Sequence, residues 1–464
     1  MKTKFSLLIT LTFIIASYSQ ITFSGQIVIN APGEADGARS VYSVDLDGDG
    51  DNDVLFTSVS ATGDKVAWYE NIDGLGTFDT LRIISTDVDT PESIFAIDMD
   101  GDGDMDVLSS SYNDDKIAWY ENTDGLGTFG PQQIIGILNY AYSLYATDID
   151  GDNDIDVLAS SVYGNKVVWY ENVDGAGTFG IEKFIGTSTP QVYSAHAADL
   201  DGDGDNDILS ASRSDSEIAW YQNADGLGNF GAQQIITSDL MSANFVSTAD
   251  LDGDSDMDVV SSSYNDGIID WYENTDGQGS FGPQNIITTN AIEVNSVFTI
   301  DIDNDGDIDL LSASRDPNKI AWYENLDGLG SFGNQQIIST NVYVPKAVFA
   351  CDIDNDGDID VLSASIGNGE GDGKIALYLN STPLSVNENS FSKSKVYPNP
   401  VKDILTIDSE IAISTIYVFD STGELVLNHS GEEKINMTGL NHGLYFIKIV
   451  DKNMRIEIKK VIKE

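Results

Sequence analysis

The sequence predicts an all-β chain: a seven-bladed β-propeller of four-stranded blades, with an N-terminal strand closing blade seven, followed by a small β-sandwich domain. Three observations predict it. An aspartate-rich block recurs seven times at a nearly constant interval; each interval divides into four short apolar strands; and the strand missing from the last unit stands at the other end of the chain.

The block Asp-x-Asp-x-Asp-x-Asp-x-Asp starts at Asp45, Asp98, Asp148, Asp199, Asp250, Asp301 and Asp352, at spacings of 53, 50, 51, 51, 51 and 51 residues. Self-similarity at such a period marks a repeat architecture. Between blocks lies a Trp-Tyr-Glu-Asn segment followed by Asp-Gly-x-Gly-x-Phe-Gly, as in Lys116 to Gly130 and Lys319 to Gly333. All six tryptophans (Trp68, Trp119, Trp169, Trp220, Trp271, Trp322) share one position in it; Leu377 stands there in the seventh unit, which stops at Asn380.

The second unit shows how each divides. Ser93 to Ile97 reads as a strand, Asp98 to Asp106 as the acidic loop, and Val107 to Ser111 as the next strand. Tyr112 to Asp115 is a turn, Lys116 to Asn122 a third strand, Thr123 to Gly130 a glycine-rich turn and Gln132 to Ile135 a fourth strand. No helical period or cap interrupts them, and four strands per unit repeated seven times is a seven-bladed propeller. A ring must join its last blade to its first or leave an unpaired edge. The seventh unit lacks its last strand, and Thr22 to Ile29 matches Thr128 to Ile135 in kind, so this segment is expected to complete it.

Composition narrows the function. With 23 Lys+Arg against 76 Asp+Glu the net charge is −53, a field that repels nucleic acid and anionic lipid. One cysteine excludes a disulfide scaffold and multi-cysteine metal sites.

The acidic loops carry the chemistry. The first offers Asp45, Asp47, Asp49, Asp51 and Asp53. Its counterparts are Asp98, Asp100, Asp102, Asp104 and Asp106; Asp148, Asp150, Asp152, Asp154 and Asp156; and Asp199, Asp201, Asp203, Asp205 and Asp207. The last three are Asp250, Asp252, Asp254, Asp256 and Asp258; Asp301, Asp303, Asp305, Asp307 and Asp309; and Asp352, Asp354, Asp356, Asp358 and Asp360. Carboxylates at positions 1, 3, 5 and 9, with a backbone carbonyl from position 7, can converge on one hard cation, and calcium accepts six to eight such oxygens in a tolerant geometry. Magnesium, which demands an octahedron and dehydrates reluctantly, suits such a cage poorly. Position 6 is glycine in five loops and Asn153 or Ser255 in the others, which are expected to turn less easily. The competing reading, solvated charged turns, leaves five aspartates in nine residues repelling one another in every unit. We therefore expect up to seven calcium ions, one per blade. An EF-hand is excluded: position 12 is Phe56, Ser109 or Ala159, and the flanks are strands.

Strand, Asp-x-Asp-Gly-Asp-Gly-x-x-Asp loop, strand and terminal Phe-Gly resemble the FG-GAP and VCBS repeats of integrin α-subunit-type propellers, across roughly residues 20 to 380. The resemblance implies calcium in the loop between the first two strands of a blade and a ligand on the opposite face. Integrin propellers lack calcium loops in some blades, whereas all seven units qualify here. The repeat occurs in adhesins, lectins and some polysaccharide lyases, so the resemblance leaves the ligand open.

The recurring tryptophan reads as packing between blades rather than a sugar-stacking row. His196 stands where other units have Phe95, Tyr145, Phe298 and Phe349 and reads as a packed strand residue; Cys351 reads as a buried apolar thiol. The face opposite the acidic loops is built by the loops joining strands two to three and four to one. These vary most and hold Tyr112, Tyr140, Tyr163, Arg213, Tyr264, Arg315 and Tyr343, a candidate ligand patch.

Beyond Asn380 the charge changes. Residues 20 to 380 hold 11 basic and 65 acidic residues; residues 381 to 464 hold 10 and 11. A Ser/Asn-rich linker, 381 to 394, leads to Val396-Tyr397-Pro398-Asn399-Pro400, alternating strands at Ile404 to Ile407 and Thr415 to Phe419, then Gly443-Leu444-Tyr445 and the terminal Lys459, Lys460 and Lys463. This resembles the C-terminal sorting domain of the Bacteroidota type IX secretion system, over residues 395 to 464; the bland alternative is a small accessory β-sandwich. At the other end, Lys2 and Lys4 precede an apolar run from Phe5 to Ala16, which reads as a signal peptide over residues 1 to 19 rather than a short anchor helix. No transmembrane segment is expected in the mature chain.

The expected protein is therefore secreted or displayed at the outer-membrane surface by the type IX machinery. It is a calcium-stabilised module, without catalytic residues, binding an extracellular glycan or protein. The alternative is a polysaccharide-active lyase or hydrolase on the same scaffold; a purely structural surface protein is a third possibility.

Overall fold

The computed structural model describes residues 21–381, apart from 62, 187–189 and 370. It also describes 394–464, apart from 410–412, 420–424, 431–433 and 452–455. The expected signal peptide and nearly all of the expected linker lie outside the described residues. Two compact units result, Ile21–Ser381 and one containing the C-terminal residues.

Among the described residues the larger unit holds seven four-stranded antiparallel sheets and no helix. In the second sheet the strands run Pro91–Ile97, Asp106–Ser111, Lys116–Tyr120 and Gln133–Ile137 in simple up-and-down order. The sequence pattern of each strand follows from what covers it. First strands alternate, with Ile94 and Ala96 buried and Glu92, Phe95 and Ile97 partly accessible. Second strands such as Asp106–Ser111 are buried at every position, because neighbouring sheets cover both faces and no solvent side remains. Fourth strands are outermost and leave Ile83, Ile134, Ile235, Ile286 and Ile337 exposed.

The core is a series of layers between sheets. Leu55, Val66 and Trp68 of the first sheet pack with Ile94, Val107, Ala118 and Tyr120 of the second. Equivalent layers join every successive pair, and the last joins Leu362, Ala364, Ile375 and Leu377 of the seventh to Val54, Phe56, Ala67 and Tyr69 of the first. First strands contact first strands all the way round, Pro345–Cys351 meeting Ala38–Val44. This is β-propeller architecture.

The N-terminal segment supplies the seventh sheet's outer strand. Ile27 and Val28 pair antiparallel with Leu377 and Ala376, and Thr22 and Phe23 with Ser381 and Asn380. Buried Asn30 fixes the register, donating to Gly373 O at 3.0 Å and accepting from Ile375 N at 2.8 Å.

The smaller unit has a three-stranded sheet (Ser394–Tyr397, Ile404–Ser409, Lys434–Asn436) and a four-stranded one (Leu425–Ser430, Ile413–Phe419, Gly443–Asp451, Ile456–Lys463). Leu405, Ile407 and Ile435 of the first share one core with Ile416, Val418 and Ile447 of the second.

Candidate metal sites and ligand face

Each acidic loop joins the first and second strands of its sheet and is folded by its own carboxylates. Position 1 staples the turn: Asp45 accepts from Gly48 N at 2.8 Å and Gly50 N at 3.0 Å. Position 5 accepts from the N–H of position 7, Asp51 to Asp49 at 3.0 Å. Position 6 sits in the left-handed region throughout, at φ 96° for Gly50, 72° for Asn153 and 78° for Ser255. The two non-glycine loops therefore make the same turn as the rest, contrary to the expectation of impaired turning.

Position 9 is buried in all seven loops. One oxygen of Asp53 accepts from Leu46 N at 3.0 Å and the other from Asn71 N at 2.9 Å. Burial still outweighs these donors, and Asp53, Asp106, Asp156, Asp207, Asp258 and Asp360 are pushed up to about 7 and Asp309 to about 8. Position 7 side chains turn aside, packing against the glycine of the following Asp-Gly turn, as Asp104 does with Gly125, so a position-7 contribution to a site is left to the backbone carbonyl.

Position 3 distinguishes a cation site from a charged turn. Asp47, Asp150, Asp201, Asp252 and Asp354 each hold a buried carboxylate oxygen with no hydrogen-bond partner. All seven position-3 carboxyls are raised, by burial first and then by the charge at position 5, and Asp303 is brought to about 7. The aspartates of the neighbouring Asp-Gly turns behave oppositely. Asp73 accepts from Leu75 N and Thr77 N and is held below the ordinary carboxylate range by those donors. Carboxylates also converge: Asp45, Asp47 and Asp53, or Asp98, Asp100 and Asp102, place an oxygen each within 4.8 Å of one another. Buried, mutually repelling carboxylates that each keep one unpartnered oxygen are the donor set a hard divalent cation takes. The residues fit calcium.

Two participants were not singled out in the sequence. The glutamate of Trp-Tyr-Glu-Asn leans on the loop: Glu70 clusters with Asp47 and Asp49, and Glu121, Glu171, Glu273 and Glu324 bear on Asp100, Asp150, Asp252 and Asp303. The asparagine after it ties each loop to the next sheet. Asn122 Nδ2 donates to Leu46 O of the preceding loop at 2.8 Å, and the pattern continues through Asn172, Asn223, Asn274, Asn325 and Asn380 until Asn71 reaches Ile353 O across the closure. Its recurrence in all seven units, even where Leu377 replaces tryptophan, was the available signal.

On the opposite face the variable-loop residues come together. Tyr112, Tyr140 and Tyr163 form a cluster with ring centroids 4.8, 4.9 and 6.4 Å apart. Tyr142 and Tyr193, on first strands, extend it. Arg213 lies between Tyr193 (3.6 Å) and Tyr264 (4.1 Å), and Arg315 contacts Tyr264 and pairs with Glu293 at 3.2 Å. Tyr163, Arg315 and Tyr343 are exposed, whereas Tyr112, Tyr140, Arg213 and Tyr264 are half-buried by this mutual packing. His196 is packed as expected, tilted against Tyr145 with ring centroids 4.5 Å apart and hydrogen-bonded to Thr248 Oγ1. Cys351 is partly accessible, and its thiol is pushed up to about 12 by burial.

Comparison with known proteins agrees with this anatomy. The FG-GAP-like repeat matches six overlapping segments: 45–109, 98–159, 148–210, 199–261, 250–312 and 301–363. The secretion system C-terminal sorting domain matches 395–464. No curated protein sequence matches the chain. Among solved structures, an Agrocybe aegerita lectin described as recognising non-reducing terminal N-acetylglucosamine is 18% identical at a TM-score of 0.52, over 76% of this chain and 88% of its own. BBS1N, in complex with ARL6DN, is 14% identical at a TM-score of 0.52, over 80% and 99%. The sorting domain marks the chain for type IX secretion to the cell surface or the medium, and no helix among the described residues is long and apolar enough to cross a membrane. The chain belongs to the FG-GAP-like repeat family and ends in a secretion system C-terminal sorting domain.

Proposed function

We propose that this protein is an exported seven-bladed propeller, each blade carrying one calcium loop, that serves as a binding module for an extracellular glycan or protein, with its sorting domain a two-sheet β-sandwich. Calcium would be held by carboxylates at positions 1, 3, 5 and 9 and the position-7 carbonyl of each loop. It supplies positive charge to an otherwise self-repelling turn. The chain's own residues then do the rest: Asn71 and its equivalents couple each fixed loop to the next sheet, and the rigid ring presents the opposite face.

The observation carrying the binding reading is the continuous tyrosine and arginine arc from Tyr112 to Arg315, built by the loops in which the units differ while their frameworks repeat. Buried aromatics and guanidiniums are the side chains that dominate recognition energetics, and the likeness to a lectin fold is compatible with it. The test is a glycan array and a surface-protein pull-down with the calcium-loaded protein. Tyr163→Ala is expected to weaken binding roughly tenfold, the effect of losing about 1.4 kcal/mol; release of reducing ends or unsaturated products from polysaccharide would instead establish the enzyme.

A further inference from the structure

We infer that the central mouth of the ring, recessed behind the tyrosine arc, is a binding pocket for a carboxylate-bearing sugar of an acidic polysaccharide. The inference rests on the binding-module reading and names its ligand class.

One equivalent position of the first strands lines this mouth, the second residue in six of them and the fourth in the longer Ile292–Ile300, and it is where the units cease to repeat: Arg39, Glu92, Tyr142, Tyr193, Asn244, Asn295 and Lys346. They rim a cavity of 320 Å³, near the lower end of small-ligand pockets, at about 300 Å³. A neighbouring cavity of 280 Å³ shares Arg39, Asn295 and Lys346 and adds Tyr264 and Arg315. The cavity walls continue inward to rings tilted against one another round the channel, with centroids 4.8 Å apart for Phe298 and Phe349, 4.7 Å for Phe349 and Tyr42, 5.2 Å for Tyr42 and Phe95 and 5.5 Å for Phe95 and Tyr145.

Charge selects the ligand. Of the side chains lining the two cavities, Arg39, Arg315 and Lys346 are cationic and Glu92 is the one anion; with Arg315 paired to Glu293 at 3.2 Å, an excess of one positive charge remains in a chain of net −53. The acidic loops lie at the far ends of the seven-residue first strands, about 20 Å away at 3.3 Å per residue, beyond the roughly 8 Å screening length. Glu92 is engaged by Arg39 at 2.9 Å. Lys346 makes no hydrogen bond or salt bridge among the described residues; burial opposes its charge, nearby Glu92 supports it, and Arg39, Arg213 and Arg315 oppose it. Arg39 Nε and Ser247 Oγ, both at this cavity, are buried without partners.

An anion that brings its own acceptors satisfies these groups together. A carboxylate would sit against Lys346 and Arg39, the sugar ring against Tyr142 and Tyr193, and hydroxyls at Asn295 and Ser247, while the chain runs outward over Tyr112 and Tyr163. A neutral sugar leaves Arg39 and Lys346 to share the single carboxylate of Glu92.

The test titrates calcium-loaded full-length protein with uronate-containing oligosaccharides and their carboxyl-reduced neutral counterparts. Acidic members are expected to bind at least tenfold more tightly than the reduced ones, with the preference lost in Lys346→Met and kept in Lys346→Arg; calcium content and melting temperature verify that both variants are folded. Equal binding of acidic and neutral members, or an unaltered preference in folded Lys346→Met, overturns this inference and leaves the binding module standing. No binding by any member overturns the inference and removes the glycan branch of the module reading with it.

Discussion

At the scale of single residues, two families of aspartate with the same side chain are set apart by their surroundings. Asp73 and its counterparts Asp124, Asp174, Asp225, Asp276 and Asp327 are exposed, bonded to backbone N–H groups and held acidic. The position-3 and position-9 aspartates are raised because burial and like charge together oppose ionisation more than the nearby donors and cations favour it. Replacing Asp150 with Ala is expected to remove one calcium per chain by elemental analysis while Asp174→Ala removes none. The raised carboxyls also fix a pH dependence in metal-free protein. A folded value near 7, above the unfolded value near 4, means the folded state binds more protons, so stability is present at acidic pH and lost as pH rises through 7 to 8. Chelated protein should therefore melt higher at pH 6.5 than at pH 8.5, and calcium should abolish or reverse that order; a metal-free melting temperature that rises with pH across this window would contradict the assignment.

At the scale of elements, the sheets are held by a contact built from three motif positions. The second glycine of Asp-Gly-x-Gly, at φ 74° in Gly127, lets the turn approach Trp68 of the previous sheet so closely that an added Cβ would stand 2.4 Å from its ring. Asn122 completes the contact, donating to Leu46 O while its Oδ1 accepts from Gly127 N at 3.2 Å. Asn122→Ala leaves those buried backbone groups unpaired and is expected to cost about 1–3 kcal/mol. Trp119→Ala, opening a void where the indole is 3% exposed, is expected to cost about 3–5 kcal/mol. Denaturant unfolding in saturating calcium measures both, and equality with wild type in either would show that the sheets cohere by other means.

At the scale of the whole molecule, closure and calcium act on the same quantity. Sheets that touch only their neighbours form a quasi-linear array unless the last meets the first, and here Ile27, Val28 and Asn30 make that join. Deleting residues 21–30 is expected to uncover the edge at Lys374–Tyr378, speed proteolysis and promote association, read by limited proteolysis and light scattering. Extracellular calcium sites bind at about 10⁻⁴ to 10⁻³ M. At ten times that dissociation constant each contributes about 1.4 kcal/mol, so seven contribute about 10 kcal/mol, as much as a typical domain's whole stability. Excess chelator should therefore lower the melting temperature steeply, and an unchanged melting curve would sink the structural role of the loops.

The sequence alone determined the features that repeat. Period, strand count, the acidic loops, the packed tryptophans and the closing segment at Thr22–Ile29 belong to local patterns copied in six or all seven units, and copying makes a weak signal readable. The C-terminal unit was legible for the same local reason, from Tyr-Pro-Asn-Pro and Gly-Leu-Tyr. Tertiary structure decided what lies between units. Asn122 looks like a turn residue until the neighbouring loop's Leu46 O stands 2.8 Å from it, and Glu70 looks like a surface charge until Asp47 and Asp49 converge on it. The mouth residues Arg39, Glu92, Tyr142, Tyr193 and Lys346 are scattered over more than 300 positions and share no motif. Only the ring, by bringing the same strand position from seven units to one axis, makes them neighbours, because a propeller turns distance along the chain into angle around a channel.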